Sequence, residues 1–176
     1  MTYEYAVYLK LLLLCGYNEE LETYIDTALI EQDPLSDIVL ELSTASSNDK
    51  KLLSILNEYL LQVKDTDIDY NETVFDLVIA FLKTKYNEES MPMAEITSLM
   101  YKLAVYTERY WDEPWHTMYF MGDLWDEVES GFIDKQDYHC KFHGFINEGI
   151  CFCDYPPVQA KEPFLKKILR MLKNKK

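Results

Sequence analysis

The chain contains few of the residues that interrupt helices: five glycines and six prolines among 176 residues. This leaves little material for the many tight turns of a β-sandwich. The segments between these breakers are rich in Leu, Glu, Lys and Tyr, which favours helices. With 48% hydrophobic and 14% aromatic residues, the composition also excludes intrinsic disorder, and the length suits one domain with a buried core. We therefore expect an all-α, compact single domain over residues 1–176.

Cysteine and long apolar runs are also scarce. Four cysteines in a chain of this size do not make a disulfide framework, which favours a reducing, cytoplasmic location. No segment approaches the roughly 20 apolar residues of a membrane span, so no membrane association is predicted. A nucleophile elbow, a Walker loop and a glycine-rich phosphate cradle are missing as well. The sequence therefore predicts a protein that is not an enzyme and needs no cofactor.

Positive charge is scarce over most of the chain and concentrated at its end. Residues 1–160 contain thirty acidic and ten basic side chains, whereas residues 161–176 contain seven Lys/Arg against the single Glu162. The formal net charges of these parts, −20 and +6, give −14 for the chain. Such a body repels nucleic acid and anionic membranes and attracts cationic protein surfaces. High net charge also simply keeps proteins soluble, so charge alone leaves both interpretations open.

Apolar residues recur at helical spacing along most of the chain. We predict helices over 3–15, 18–31, 35–45, 49–63, 71–86, 92–109 and 114–130, an eighth helix after Asp134, an irregular segment over 149–160 and a basic C-terminal helix over 163–174. Short connections make consecutive helices antiparallel neighbours. We therefore expect eight or nine helices packed as hairpins.

Glycine, proline and capping residues predict where these helices begin and end. Gly16 and Gly131 are expected to end helices. Helix starts are expected at three N-caps: Asn18, Asp33 (with Pro34 as first helical residue) and Asp134. The apolar stripes between these limits predict the inward-facing positions, which at their edges include Leu29, Val63 and Tyr106.

Alternating oxygen ligands over residues 65–76 resemble the calcium loop of an EF-hand. They are Asp65, Asp67, Asp69, Asn71, Thr73 and Asp76. Tyr70, however, stands where such a loop needs glycine, and Asp76 replaces the long bidentate glutamate. Val74 and Phe75 also fit the apolar stripe of the helix over 71–86. We therefore favour an acidic first helical turn over a calcium site.

A second cluster of possible metal ligands lies near the C-terminus: His139, Cys140, His143, Cys151 and Cys153. His139 and His143 are one helical turn apart, and a thiolate from the following loop would complete a tetrahedral zinc site. The Cys-x-Cys spacing is tighter than in zinc knuckles, and the histidine pair lacks the Glu of a metalloprotease helix. Buried thiols in an aromatic core explain the cluster as well. We predict no bound metal and keep a zinc-dependent regulator or enzyme as the alternative function.

The segment 108–129 combines all three tryptophans with seven acidic residues and a single basic one, Arg109. Aromatic anchors surrounded by charges are how protein interfaces concentrate binding energy. The candidate partner-binding residues are Glu108, Trp111, Asp112, Glu113, Trp115, Tyr119, Asp123, Asp126 and Glu127. The spacing of Trp115, Met118, Gly122 and Trp125 fits a helix face packed into the core equally well.

The basic segment 161–176 allows three interpretations. Its apolar stripe favours docking against the acidic body, which would close the domain. An amphipathic basic helix is also typical of nucleic-acid or membrane binding. The net charge of −20 on residues 1–160 opposes both of these. We therefore prefer docking against the body.

Two strings resemble a known class of proteins. They are Asp-Pro-Leu-Ser-Asp-Ile-Val-Leu-Glu-Leu-Ser over 33–43 and Asp-Glu-Pro-Trp-His-Thr-Met-Tyr over 112–119. Both are similar to segments of small acidic all-helical proteins encoded beside polymorphic toxins, the bacterial immunity proteins of contact-dependent and related toxin systems. The resemblance implies stoichiometric inhibition of a cognate toxin domain, in many such systems a basic nuclease. Carboxylates of the inhibitor would then take the place of the nucleic acid's phosphates.

Overall fold

A computed structural model of the protein describes residues 1–45, 48–64 and 71–154. Within these ranges it contains eight α-helices and no β-strand: α1 (Tyr3–Leu14), α2 (Glu19–Glu31), α3 (Asp37–Ala45), α4 (Asp49–Val63), α5 (Asn71–Asn87), α6 (Met93–Tyr106), α7 (Trp115–Glu129) and α8 (Lys135–His143). A π-helical turn (Gly144–Glu148) and a 3-10 turn (Phe152–Asp154) follow. The predicted all-α class is confirmed. The predicted helix over 163–174 lies outside the described residues, as does the second half (155–160) of the segment 149–160.

Helix α1 is the centre of the fold because apolar residues occupy nearly all of its surface. Leu9 and Leu12 are completely buried, and Tyr8, Leu11 and Leu13 are nearly so. A helix with no polar face must be surrounded by others, and α1 packs against α2, α4, α5 and α6. Gly16 ends it in the left-handed conformation with φ +88°, as predicted.

The remaining helices pack largely in chain order around α1. Helix α3 contacts both α2 and α4, and α7 contacts both α6 and α8. The main neighbours of α4 are α1 and α3 rather than α5. Among the described helices, α6 and α7 have the most extensive contact with each other. Among the described residues, no helix has both the length and the apolar character needed to cross a membrane.

One predicted helix start is confirmed without its cap bond, and another is shifted. Asn18 occupies the N-cap position of α2, but its side-chain amide donates to the Glu22 carboxylate at 2.9 Å and makes no cap bond. Helix α3 begins at Asp37 rather than at Pro34, because the Gln32 side chain accepts hydrogen bonds from the Ser36 backbone N–H and hydroxyl. These bonds hold the preceding residues in a turn.

The predicted start of α8 is confirmed, and the helical run continues beyond its α-helical part. Asp134 accepts a hydrogen bond from the Asp137 N–H at 2.8 Å, as an N-cap does. The chain then continues into the π-helical turn, where Phe145 and Ile146 are buried. Gly149, with φ +71°, ends this turn. The helical run therefore reaches Glu148, next to the segment predicted to be irregular.

Three predicted inward positions are wrong: Leu29, Val63 and Tyr106 are exposed. Val63 and Tyr106 are the last residues of α4 and α6, and these ends extend beyond the core. Leu29 follows the buried Ala28 and is turned about 100° away from it by the helical repeat. Helix α6 ends three residues before the predicted limit, and Glu108 follows with φ +59°.

Candidate partner-binding surface

Helices α6 and α7 approach each other closely at Gly122. A Cβ at this position would lie 2.7 Å from the carbonyl oxygen of Thr97 and 2.8 Å from the backbone nitrogen of Tyr101. Both atoms belong to the backbone of α6, so neither can rotate away. The absence of a side chain at Gly122 therefore sets the distance between the two helices.

Gly122→Ala is expected to lower the free energy of unfolding. Alanine improves helix propensity by about 1 kcal/mol, but forcing apart two packed helices costs roughly 1–3 kcal/mol. The contact with backbone atoms makes the second effect the larger one. Urea denaturation measures the difference, with Asn57→Ala on the exposed face of α4 as the control. Unchanged or increased stability of the glycine variant would show that the helices are not in this contact.

The segment between α6 and α7 is held by hydrogen bonds to its own side chains. The Glu113 carboxylate accepts from the Thr117 backbone N–H at 3.1 Å and from its hydroxyl at 2.7 Å, which caps the start of α7. Asp112 lies 3.5 Å from the Arg109 guanidinium. Nδ1 of His116 lies 2.9 Å from the carbonyl oxygen of Tyr110. These bonds fix the backbone on either side of the exposed Trp111.

Aromatic rings form a continuous row over this corner. Trp111 lies 4.9 Å from Tyr110, Tyr110 lies 5.5 Å from Tyr119, and Tyr119 lies 4.9 Å from Tyr101, measured between ring centroids. Trp111 is 75% exposed and Tyr101 37% exposed. The pKa of Tyr119 is raised, first by its hydrogen bond with Tyr101 and then by burial. We call these four residues the aromatic row. Rigid tyrosine and tryptophan side chains of this kind provide contact area at low entropic cost.

The predicted site residues divide into exposed and internal ones. Glu108, Trp111, Asp112, Glu113, Asp123, Asp126 and Glu127 are exposed, and Tyr119 is half-buried. Trp115 is 0% exposed, so its prediction as a surface anchor is wrong. Its indole N–H donates to Asn71 at 2.8 Å and its ring meets Phe75 edge-on. The core-facing side of α7 instead contains Trp115, Met118 and Trp125, which is the alternative that their helical spacing also fitted.

An open groove of about 380 Å³ lies beside the aromatic row, between α6 and α7. Small residues of α6 form one wall: Ala94, Thr97 and Ser98. The other wall is formed by three carboxylates of α7: Asp123, Asp126 and Glu129. Gly122 and Trp125 lie between the two walls, and Tyr101 also lines the groove. We call this the α6–α7 groove. Tyr101 and Glu129 were not among the site residues predicted from the sequence. Tyr101 lies outside the apolar stripe of α6, and an aromatic residue at such a position is a signal that could have identified it.

The acidic side chains at the end of α7 are placed where they destabilise the helix. Its last turn contains Asp126, Glu127 and Glu129 and no basic residue. The carboxyl end of a helix carries partial negative charge, so each carboxylate there costs about 0.3–1 kcal/mol. Asp123, Asp126 and Glu127 have no Lys or Arg partner within the described ranges. A cation from another molecule would relieve this repulsion.

The candidate zinc ligands do not come together. The His139 ring lies 6.1 Å from Trp125, near the end of α7. Cys151 is beside Glu113 and Thr117, at the start of the same helix. Eight residues of helix separate these two places, or about 12 Å. Across the described part of the chain, no three His, Cys, Asp or Glu side chains are grouped to hold a metal ion.

The thiol of Cys151 is further disfavoured as a metal ligand by its protonation. Burial and the Glu113 carboxylate raise its pKa to about 11. The pKa of Cys153 is also raised, by burial and by Asp154. Metals and electrophiles react with the thiolate form. These two thiols are therefore largely protonated at neutral pH.

The string that resembles a calcium loop is only partly described, because residues 65–70 lie outside the described ranges. Asn71 begins α5, and its side-chain oxygen accepts the hydrogen bond of Trp115. Val74 is buried, and Phe75 packs on Trp115 and Phe145. The prediction that Val74 and Phe75 belong to the core stripe is confirmed.

No protein-family model, curated protein or solved structure matches this chain.

Proposed function

We propose that this chain is an immunity-type protein that binds a basic toxin domain and neutralises it stoichiometrically, without catalysis. The observation that carries the proposal is the unrelieved negative charge at the end of α7, which shares the α6–α7 groove with Tyr101, one end of the aromatic row. Natural helices normally place cations at this end. An arrangement that lowers the stability of the free protein is typical of a functional surface.

The aromatic row supplies the slow dissociation that charge attraction alone does not provide. Long-range attraction raises the rate of encounter, whereas desolvated aromatic anchors slow dissociation. Trp111 is the most exposed tryptophan, and the bonded segment around it holds its backbone in place before binding. A pre-ordered anchor loses less entropy on association. The charged and aromatic parts are contiguous, which suits one protein partner.

The proposal is tested by expressing the chain together with the toxin domain encoded beside its own gene. Rescue of growth and a 1:1 complex whose affinity falls with salt concentration are the expected results. Continued growth arrest, with no complex by calorimetry at low ionic strength, would exclude the immunity function.

Trp111→Ala is expected to weaken this complex by about 30-fold, since anchor residues contribute roughly 2 kcal/mol or more. The melting temperature should hardly change, because truncating an exposed side chain usually alters stability by less than about 0.5 kcal/mol. Calorimetric titration and thermal melts measure both. Leu61→Ala is the matched control, because Leu61 is an exposed apolar residue of α4. Equal affinity of the two variants would remove Trp111 from the interface.

A further inference from the structure

The α6–α7 groove has a chemistry of its own within the acidic surface. It joins three carboxylates to two aromatic side chains, whereas Glu108, Asp112 and Glu127 lie outside its lining. We propose that this groove receives a single arginine side chain presented by the partner. The inference rests on the proposed function, because it specifies what the toxin domain would insert.

The carboxylates account for a cationic occupant. Asp123, Asp126 and Glu129 follow one another at intervals of three residues, which places them along one face of α7. None has a Lys or Arg partner in the described part of the chain. The negative end of the helix adds to their potential. A single positive group in the groove would interact with all of these charges at once.

The aromatic residues favour a guanidinium over an ammonium group. Tyr101, which is 37% exposed, lines the groove next to Trp125, and a planar guanidinium stacks on such a ring while donating paired hydrogen bonds to carboxylates. Trp125 already attracts one cation, since Nζ of Lys135 lies 6.0 Å from its ring centroid. Trp125 is only 7% exposed, and its indole N–H has no acceptor among the described residues.

The dimensions of the groove match one long side chain and its flanking backbone. Its volume of about 380 Å³ falls at the small end of the range for ligand sites, roughly 300–1,000 Å³. The wall formed by Ala94 and Ser98 has little side-chain bulk. At Gly122 the backbones of α6 and α7 are in contact, so the open space lies beside this residue, between the small residues of α6 and the carboxylates of α7.

The test uses acetyl-Gly-Arg-Gly-amide as the probe on the full chain, followed by nuclear magnetic resonance. Saturable shifts of the Gly122 amide and the Trp125 indole are expected at millimolar peptide. The lysine analogue should bind at least about threefold more weakly, and the glutamate analogue should cause no shift. Absence of a saturable shift, including the case in which the cations of residues 161–176 already occupy the groove, would overturn the inference. Equal binding of the lysine peptide would overturn the preference for arginine.

Two variants of equal charge locate the peptide. Asp126→Asn should weaken its binding at least about threefold. Glu41→Gln, an exposed site on α3, should leave binding unchanged. Equal effects of the two variants would reduce the site to general attraction and overturn the proposal.

The outcomes separate this inference from the proposed function. Toxin neutralisation without a peptide shift removes the arginine site and leaves the immunity function intact. A specific peptide shift in a chain that fails to neutralise the toxin removes the immunity function and leaves the arginine site intact.

Discussion

Replacing both Asp126 and Glu127 by lysine is expected to weaken binding of the basic partner by about 100-fold while making the folded protein more stable. The loss corresponds to roughly 3 kcal/mol, because two attractive charges at the proposed surface become repulsive. The gain arises because both residues lie in the last turn of α7, where lysine is favoured by the helix dipole. It should amount to about 1 kcal/mol, or a rise of about 3 °C in melting temperature.

The matched control is the double variant Asp26→Lys, Glu31→Lys. It changes the net charge by the same amount near the carboxyl end of α2, a helix that packs against α1 and α3. Its stability should also rise, but its affinity for the partner should change by less than about threefold at physiological salt. If the control lost as much affinity as the α7 variant, binding would follow net charge alone, and the localised surface would be refuted.

Opposite movements of stability and affinity are the most informative part of this experiment. A variant that binds poorly because it is unfolded loses both. A variant that is more stable and binds less well has lost a functional charge. The dependence of affinity on salt concentration should also decrease in the α7 variant, because fewer charges act across the interface.

Much of the fold follows from local patterns in the sequence. The apolar stripes gave the helices to within a few residues, because periodic burial is a local property that each segment carries by itself. Errors occurred where a non-local or side-chain contact decides the boundary. The turn held by Gln32 before α3 is an example.

The site was only partly predictable because its geometry depends on two helices at once. Trp111 and Trp115 are four residues apart in equally acidic surroundings, yet one is exposed and the other is buried. The spacing of Trp115 with Met118 and Trp125 contained this information. The α6–α7 groove, in contrast, exists because Gly122 lets α7 approach the backbone of α6. No local pattern reports a distance between helices.

The largest expected effect on stability comes from replacing Trp115, which is buried although Trp111, four residues earlier, is exposed. Trp115→Ala should lower the free energy of unfolding by about 3–5 kcal/mol, as for other fully buried aromatic side chains. The variant loses the edge-on contact with Phe75 and opens a cavity between α5 and α7. It also leaves Asn71 without the indole donor. Urea denaturation followed by circular dichroism measures the change.

A double-mutant cycle isolates the hydrogen bond from the packing. Trp115→Phe keeps an aromatic ring and removes the donor, whereas Asn71→Ala removes the acceptor and leaves a buried indole N–H unpaired, at a cost of about 1–3 kcal/mol. Asn71 takes part in further interactions, so only the coupling between the two changes reports this bond. We expect that coupling to be about 1 kcal/mol. Additive effects would mean that the bond contributes nothing to stability.

Affinity measured on the same variants decides whether Trp115 belongs to the core alone. Trp115→Phe should keep most of its affinity for the partner, provided that it is measured well below its melting temperature. Trp111→Ala should show the reverse pattern, with unchanged stability and weak binding. If Trp115→Phe abolished binding while remaining folded, the indole would have to reach the partner. The assignment of α7 to a buried aromatic face and an outer acidic face would then be wrong.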